Sequence, residues 1–207
     1  MASGYYSAPL EIPGPEIPSL RANMPLSPAA EREHLHTRRI ELNGYRRADG
    51  LWDIEGHLTD VKTYGFNNAF RGEIAAGEPI HDMWLRVTID EGFVVRDVEA
   101  VTDGSPFRIC PEITPNFKKL IGARMTNGWR REVRQRLGGV EGCTHLVETL
   151  GAMATAAYQT LYPALAKKNK AHRGLGKPAI IDSCHAFAGD GDIVKKRWPN
   201  FYTGSES

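Results

Sequence analysis

The chain has 207 residues, 41% of them apolar and 25% charged, which suits one globular domain and excludes wholesale disorder or a collagen-like repeat. Lys and Arg number 26 against 25 Asp and Glu, a formal charge of +1, so no nucleic-acid partner is expected. No run of about 18 apolar residues is present, and no membrane span or membrane partner is expected.

Residues 1–33 stand apart. Pro9, Pro13, Pro15, Pro18, Pro25 and Pro28 remove backbone donors and disfavour helix, so this segment reads as an extended arm. It is either a disordered tail or an arm that wraps a neighbouring subunit. The second option is supported by Tyr5, Tyr6, Leu10, Ile12, Ile17 and Leu20, and implies a homodimer or higher homo-oligomer. The start of the arm has neither the basic residues nor the apolar core of a signal peptide. Cys110, Cys143 and Cys184 are too widely spaced for a disulfide framework, so a reducing cytoplasm is the expected location.

The rest, residues 34–207, reads as a single α+β domain. RRIELNGYRR alternates, Ala48-Asp49-Gly50 supplies a turn, and LWDIEGHLTDVKTYGF follows as a second strand. In that strand Asp53, Glu55, His57 and Thr59 share one face; Ile54, Leu58, Asp60 and Lys62 share the other. IHDMWLRVTID and FVVRDVEAVTD form a second hairpin around Glu91-Gly92. An antiparallel sheet over 38–102 is therefore predicted. From Pro115 the period lengthens. PNFKKLIGARMTNGWRREVRQRLGG has helical spacing, and Gly138-Gly139 ends it. CTHLVETLGAMATAAYQTLYPALAKK is a stronger helix, with Leu146, Leu150, Met153, Ala157, Leu161 and Leu165 on one stripe. The tail, IIDSCHAFAGDGDIVKKRWPNFY, reads as a short strand or extended piece, a glycine-rich turn and a last helical turn stopped by Pro199. Strands first and helices after place the helices on one face of the sheet.

Nucleotide-loop, nucleophile-elbow and HExxH signatures are missing from the sequence. Cys143, His145, Cys184 and His185, with Cys110, offer zinc-type donors for a metal-dependent hydrolase. However, adjacent Cys-His pairs lack the spacing of zinc loops, and no metal is expected. The sheet offers a denser polar set. Glu55, His57, Asp60 and Lys62 lie on one strand, and His81, Trp84 and Arg86 on another, enough to line a mixed pocket. An exposed Trp84 is costly unless something covers it. Tyr158 sits one step off the apolar stripe, as a core tyrosine or one reaching a pocket.

Five segments in order, GYRRADGLWDIEGHLTDVKTY, GEPIHDMWLRVTID, Cys110-Pro111, GCTHLVETL and SCHAFAGDG, resemble a proteobacterial family known as a domain of unknown function. Within it the chain looks like the phenylcoumaran γ-formaldehyde lyases of lignin-degrading sphingomonads. That resemblance implies a small-molecule aromatic substrate, no cofactor, and carbon–carbon cleavage by proton transfer. His81, His145, Lys62 and Tyr158 are then the acid–base candidates, with Asp60 orienting Lys62 or His81. Trp84, Arg86, Glu55 and His57 are the substrate-binding candidates. The alternatives are the Cys/His metal-dependent hydrolase and a non-catalytic module that binds phenolic ligands.

Overall fold

The computed structural model describes residues 26–171, 176–178 and 180–205. The chain divides into two units, Met1–Leu35 and His36–Ser207. Residues 26–35 of the first unit form neither helix nor strand. The expected subunit-wrapping arm rests mainly on residues 1–25, which lie outside the described residues.

The second unit is α+β, as the change of period predicts. Four strands, β1 (His36–Arg46), β2 (Trp52–Lys62), β5 (Pro79–Ile89) and β6 (Val95–Gly104), form one sheet in the order β1-β2-β5-β6, antiparallel throughout. Alternation sets its faces. Trp52, Ile54, Leu58 and Asp60 of β2 are buried with Met83, Leu85, Val87 and Ile89 of β5. Over that face lie α1 (Trp129–Leu137), α2 (Thr144–Ala171) and a 3-10 helix, Cys110–Leu120. The predicted stripe Leu146, Leu150, Met153, Ala157 and Leu161 is no more than 1% exposed, and Leu165 packs at its edge. Each large member is worth about 1.5–3 kcal/mol of burial. That term holds α2, which has no acid in its first turn to complement the dipole.

Three details differ from expectation. The helical reading of 115–139 breaks into the 3-10 helix and α1. Pro115 removes a backbone donor, and Gly122 and Gly128 take positive φ between the two pieces. A small hairpin, β3 (Phe66–Asn68) with β4 (Gly72–Ile74), fills the β2–β5 connection. The tail carries no strand among its described residues; it holds a 3-10 turn at His185–Phe187 and α3 (Asp192–Arg197), followed by Pro199. No helix among the described residues is long and apolar enough to cross a membrane.

Two glycines let α2 lie close on the sheet. A Cβ on Gly44 would sit 1.9 Å from Thr160 Oγ1 and 2.7 Å from its Cβ; one on Gly56 would sit 2.8 Å from Thr149 Cγ2. Without such a collision, Gly to Ala inside a strand gains about 0.5–1 kcal/mol. With it, we expect Gly44→Ala to destabilise by about 1–3 kcal/mol. The check is the urea midpoint at unchanged slope; an equal or higher midpoint would contradict the close packing.

Candidate active site

The hairpin register assembles the site. A turn centred on Asp49 pairs Arg46 with Trp52 and, counting outwards, Arg38 with Asp60. Across the other edge of β2, Asp60 pairs with His81. Cross-strand partners share a face, so Arg38, Asp60 and His81 form a row across three strands on the helix-covered side. The register slips directly after Asp60, a bulge of the kind that re-aims side chains beside sites. The first turns of α2 then bring His145 and Glu148 over the row.

Asp60 is 2% exposed, and its acceptor capacity is filled. Its Oδ1 accepts from Arg38 Nε at 2.8 Å and His36 Nε2 at 2.9 Å; its Oδ2 accepts from Arg38 Nη2 at 2.8 Å and His81 Nδ1 at 2.9 Å. Arg38 Nη1 also donates to Glu148 Oε2 at 2.6 Å, tying β1 to α2. Burial pushes the Asp60 carboxyl up, but the Arg38 guanidinium outweighs it, followed by His36 and His81, and brings it down to about 2. A carboxylate ionised at neutral pH only accepts. The hydrogen bond from His81 therefore fixes its proton on Nδ1 and leaves the lone pair on Nε2.

His145 lies against His81, ring centroids 3.8 Å apart and the rings tilted by 34°. Its Nε2 stands 3.9 Å from Asp60 Oδ2, beyond hydrogen-bond reach. Burial lowers the pKa of His81 and the neighbouring His145 lowers it further, against the pull of Asp60. Burial also lowers His145, and the Arg38 charge adds to it. Both imidazoles are thus held neutral at pH 7, beside a carboxylate held charged. The arrangement is a buried acceptor orienting one neutral base, with a second base against it.

The ligand-type atoms of Asp60, His81 and His145 lie within 4.8 Å of one another, close enough for one metal ion to touch all three. Such an ion would compete with Arg38 for both Asp60 oxygens and face its fixed positive charge. Among the described residues, that grouping contains neither Cys184 nor His185, so the metal ligands suggested by Cys-His adjacency do not come together. Cys143 lies nearby, its Sγ 3.8 Å from His145 Nδ1 and 4.0 Å from Met83 Sδ; Cys184 is exposed.

Of the acid–base candidates, then, Asp60, His81 and His145 meet. Lys62 does not join them: its Nζ donates to Tyr64 Oη at 2.9 Å and lies over the Tyr64 and Phe66 rings. Tyr158 is 13 residues along α2 from His145, about 20 Å at 1.5 Å per residue, and packs near Phe93 and Tyr162. Asp60, then, orients His81 and not Lys62. The substrate-binding candidates Trp84, Arg86, Glu55 and His57 occupy the opposite face of the sheet. Strand parity separates them: His81 and Trp84 are three residues apart on β5 and point opposite ways. There the His57 ring lies parallel to Trp84 at 3.6 Å and its Nε2 donates to Asp82 Oδ1 at 2.7 Å, while Arg86 is held by Glu55 and Glu99. Stacking on His57 covers one side of Trp84, which stays 42% exposed and lines a cleft of about 330 Å³ with Glu55 and Arg86.

His36, Arg38 and Glu148 were not singled out from the sequence. Counting outwards from the Asp49 turn would have found Arg38. Glu148 joins only through the packing of α2 on β1.

A family model described as a protein of unknown function, DUF2889, matches residues 36–159. The chain belongs to this family. No curated protein and no solved structure matches it. The DUF2889 segment runs from the first strand well into α2 and contains every member of the network, from His36 to Glu148.

We expect Arg38→Gln to cost about 1–3 kcal/mol near pH 7, because Asp60 stays buried with its strongest partner removed. Asp60 has a lowered native pKa, so its contribution is present above the unfolded value of about 3.9 and fades as pH falls towards 2. The difference from wild type in chemical denaturation should therefore shrink on acidification. A difference that is flat from pH 7 to pH 3 would argue against an ionised Asp60.

Proposed function

We propose that the chain is a carbon–carbon lyase that works by proton transfer on a phenolic phenylcoumaran-type lignin dimer, releasing formaldehyde and leaving a stilbene. One observation carries the reading: two neutral imidazoles in ring contact, one of them oriented by an ionised, buried carboxylate. The choice of substrate follows the chain's likeness, within its family, to such lyases.

The bond changes need only proton movement. Loss of the para-phenol proton pushes electrons through the ring and breaks the bond from the benzylic carbon to the furan oxygen. A quinone methide and a second phenoxide result. His81 Nε2 then takes the proton of the CH2OH arm. The bond from that carbon to the ring-bearing carbon breaks; its electron pair forms the stilbene double bond and restores the phenoxide. Formaldehyde leaves, and both phenoxides regain protons, with His145 as the second carrier. The reaction is redox-neutral and consumes no co-reactant, so it calls for no cofactor. Each general base is worth about 10²–10⁴ in rate.

The test is incubation with the phenolic dimer, following formaldehyde and the stilbene chromophore together. Both should appear in equal amounts, and the substrate's methyl ether should be inert because no quinone methide can form from it. We expect His81→Ala to lower kcat by at least about 10²-fold with the fold intact. Cleavage of the methyl ether at the rate of the free phenol would rule out this mechanism.

Neutral bases also fix the pH profile. Rates should hold at neutral pH and fall on acidification with an apparent pKa below the ordinary histidine value of about 6.5. An acid limb centred above pH 7 would count against His81 and His145 as the bases.

A metal-dependent hydrolase at Asp60, His81 and His145 is the second reading, favoured by the 4.8 Å grouping. Stoichiometric metal in protein purified without added metal, with activity lost on chelation, would decide for it.

A further inference from the structure

The face opposite the helices, with Trp84 and His57, has no share in the histidine cluster. A different aromatic surface stands at the end of the sheet that carries His81. Phe70, from the β3–β4 turn, and Phe107, from the loop after β6, meet edge to face with ring centroids 5.3 Å apart at 70°. They belong to different loops, yet each is about half exposed, at 49% and 50%. Two phenylalanines held together in water leave apolar surface that a ligand would cover.

The rings line a cleft of about 270 Å³. An enclosed cavity of about 150 Å³ accepts benzene, so this open cleft has room for one substituted ring. Its polar lining is mixed. Arg108 and Asp103 both line it and are exposed. Arg71 is anchored, Nη2 to Glu78 at 2.6 Å and Nη1 to the Pro79 carbonyl at 2.9 Å. Two arginines against Asp103 and Glu78 leave no net charge, which suits a neutral ring bearing oxygen substituents. Arg108 can donate to an ether or hydroxyl oxygen, and Asp103 can accept from a hydroxyl.

The cleft is built on the end of the sheet that carries His81. Pro79 and Ile80, whose carbonyls hold Arg71, directly precede His81. Gly104, on the cleft wall, pairs with Asp82, the next residue along.

We infer that this cleft is a binding site for one oxygenated aromatic ring of the substrate, seated on Phe70 and Phe107 with Arg108 and Asp103 on its substituents. The assignment of that ring to a lyase substrate rests on the proposed function; the binding itself does not.

The experiment is an NMR titration of the full chain with 2-methoxyphenol, with cyclohexanol as the non-aromatic control. A nine-heavy-atom ligand should bind in the millimolar range or somewhat tighter, of order 10⁻³ M. Phe107→Ala, and independently Phe70→Leu, should weaken it at least about fivefold, and cyclohexanol should bind correspondingly worse than the phenol. If the lyase reaction is found, Phe107→Ala should raise KM for the dimer by a similar factor and change kcat by less than about twofold. If 2-methoxyphenol binding depends on Phe107 while wild type cleaves no dimer, the site stands and the lyase reading falls. If both folded variants keep wild-type affinity and KM, the site is wrong, whether or not the dimer is cleaved.

Discussion

A carboxylate buried to 2% exposure must be either neutral or fully paired, and Asp60 is paired. Its four acceptor positions are taken by Arg38, His36 and His81. The rest of the site follows from that constraint. Arg38 must lie opposite Asp60 on β1, which the hairpin register provides. The Arg38 charge keeps Asp60 ionised and helps keep His145 neutral. The ionised oxygen in turn sets the His81 tautomer. One ion pair thus supports the fold at the sheet end and prepares a base there. The cost falls on the histidines: their lowered pKa values mean that stability is lost as pH falls below about 6.5, where the unfolded chain binds protons that the folded chain refuses.

The helix layer supplies what the sheet lacks. Gly44 and Gly56 allow α2 to approach β1 and β2 closely, and Trp129 Nε1 donates to the Leu150 carbonyl at 2.8 Å to lock α1 onto α2. With α2 seated, its first turn delivers His145 onto His81 and Glu148 onto Arg38. The proposed acid–base groups stand on a strand and at a helix start, elements that pack into the core, and are held more rigidly than groups on loops. The aromatic cleft differs: its two rings come from a hairpin turn and a loop, where adaptation to a ligand costs less.

Much of this was legible in the sequence because periodicity carries it. Alternation gave the two faces of β2, and the apolar stripe gave α2 with the correct buried residues. The same rule already separated His81 from Trp84; grouping them in one pocket set strand parity aside in favour of proximity along the chain. Lys62 shows the opposite failure. Its parity matches Asp60, but a long side chain bends to Tyr64 and leaves the row. The contact of His145 with His81 spans 64 residues and depends on how α2 settles on the sheet, which no local pattern encodes. The break between the 3-10 helix and α1 was signalled by Pro115, Gly122 and Gly128, whose effect on the backbone overrides an apolar period.

The central claim is that burial and the neighbouring His145 hold His81 neutral while an ionised Asp60 fixes its proton on Nδ1. Nitrogen-15 NMR of the histidine rings, followed through a pH titration, reads both properties directly. The account predicts a His81 that is the Nδ1–H tautomer at pH 7 and titrates below about 6.5. A His81 that is doubly protonated at pH 7, or that carries its proton on Nε2, would contradict it.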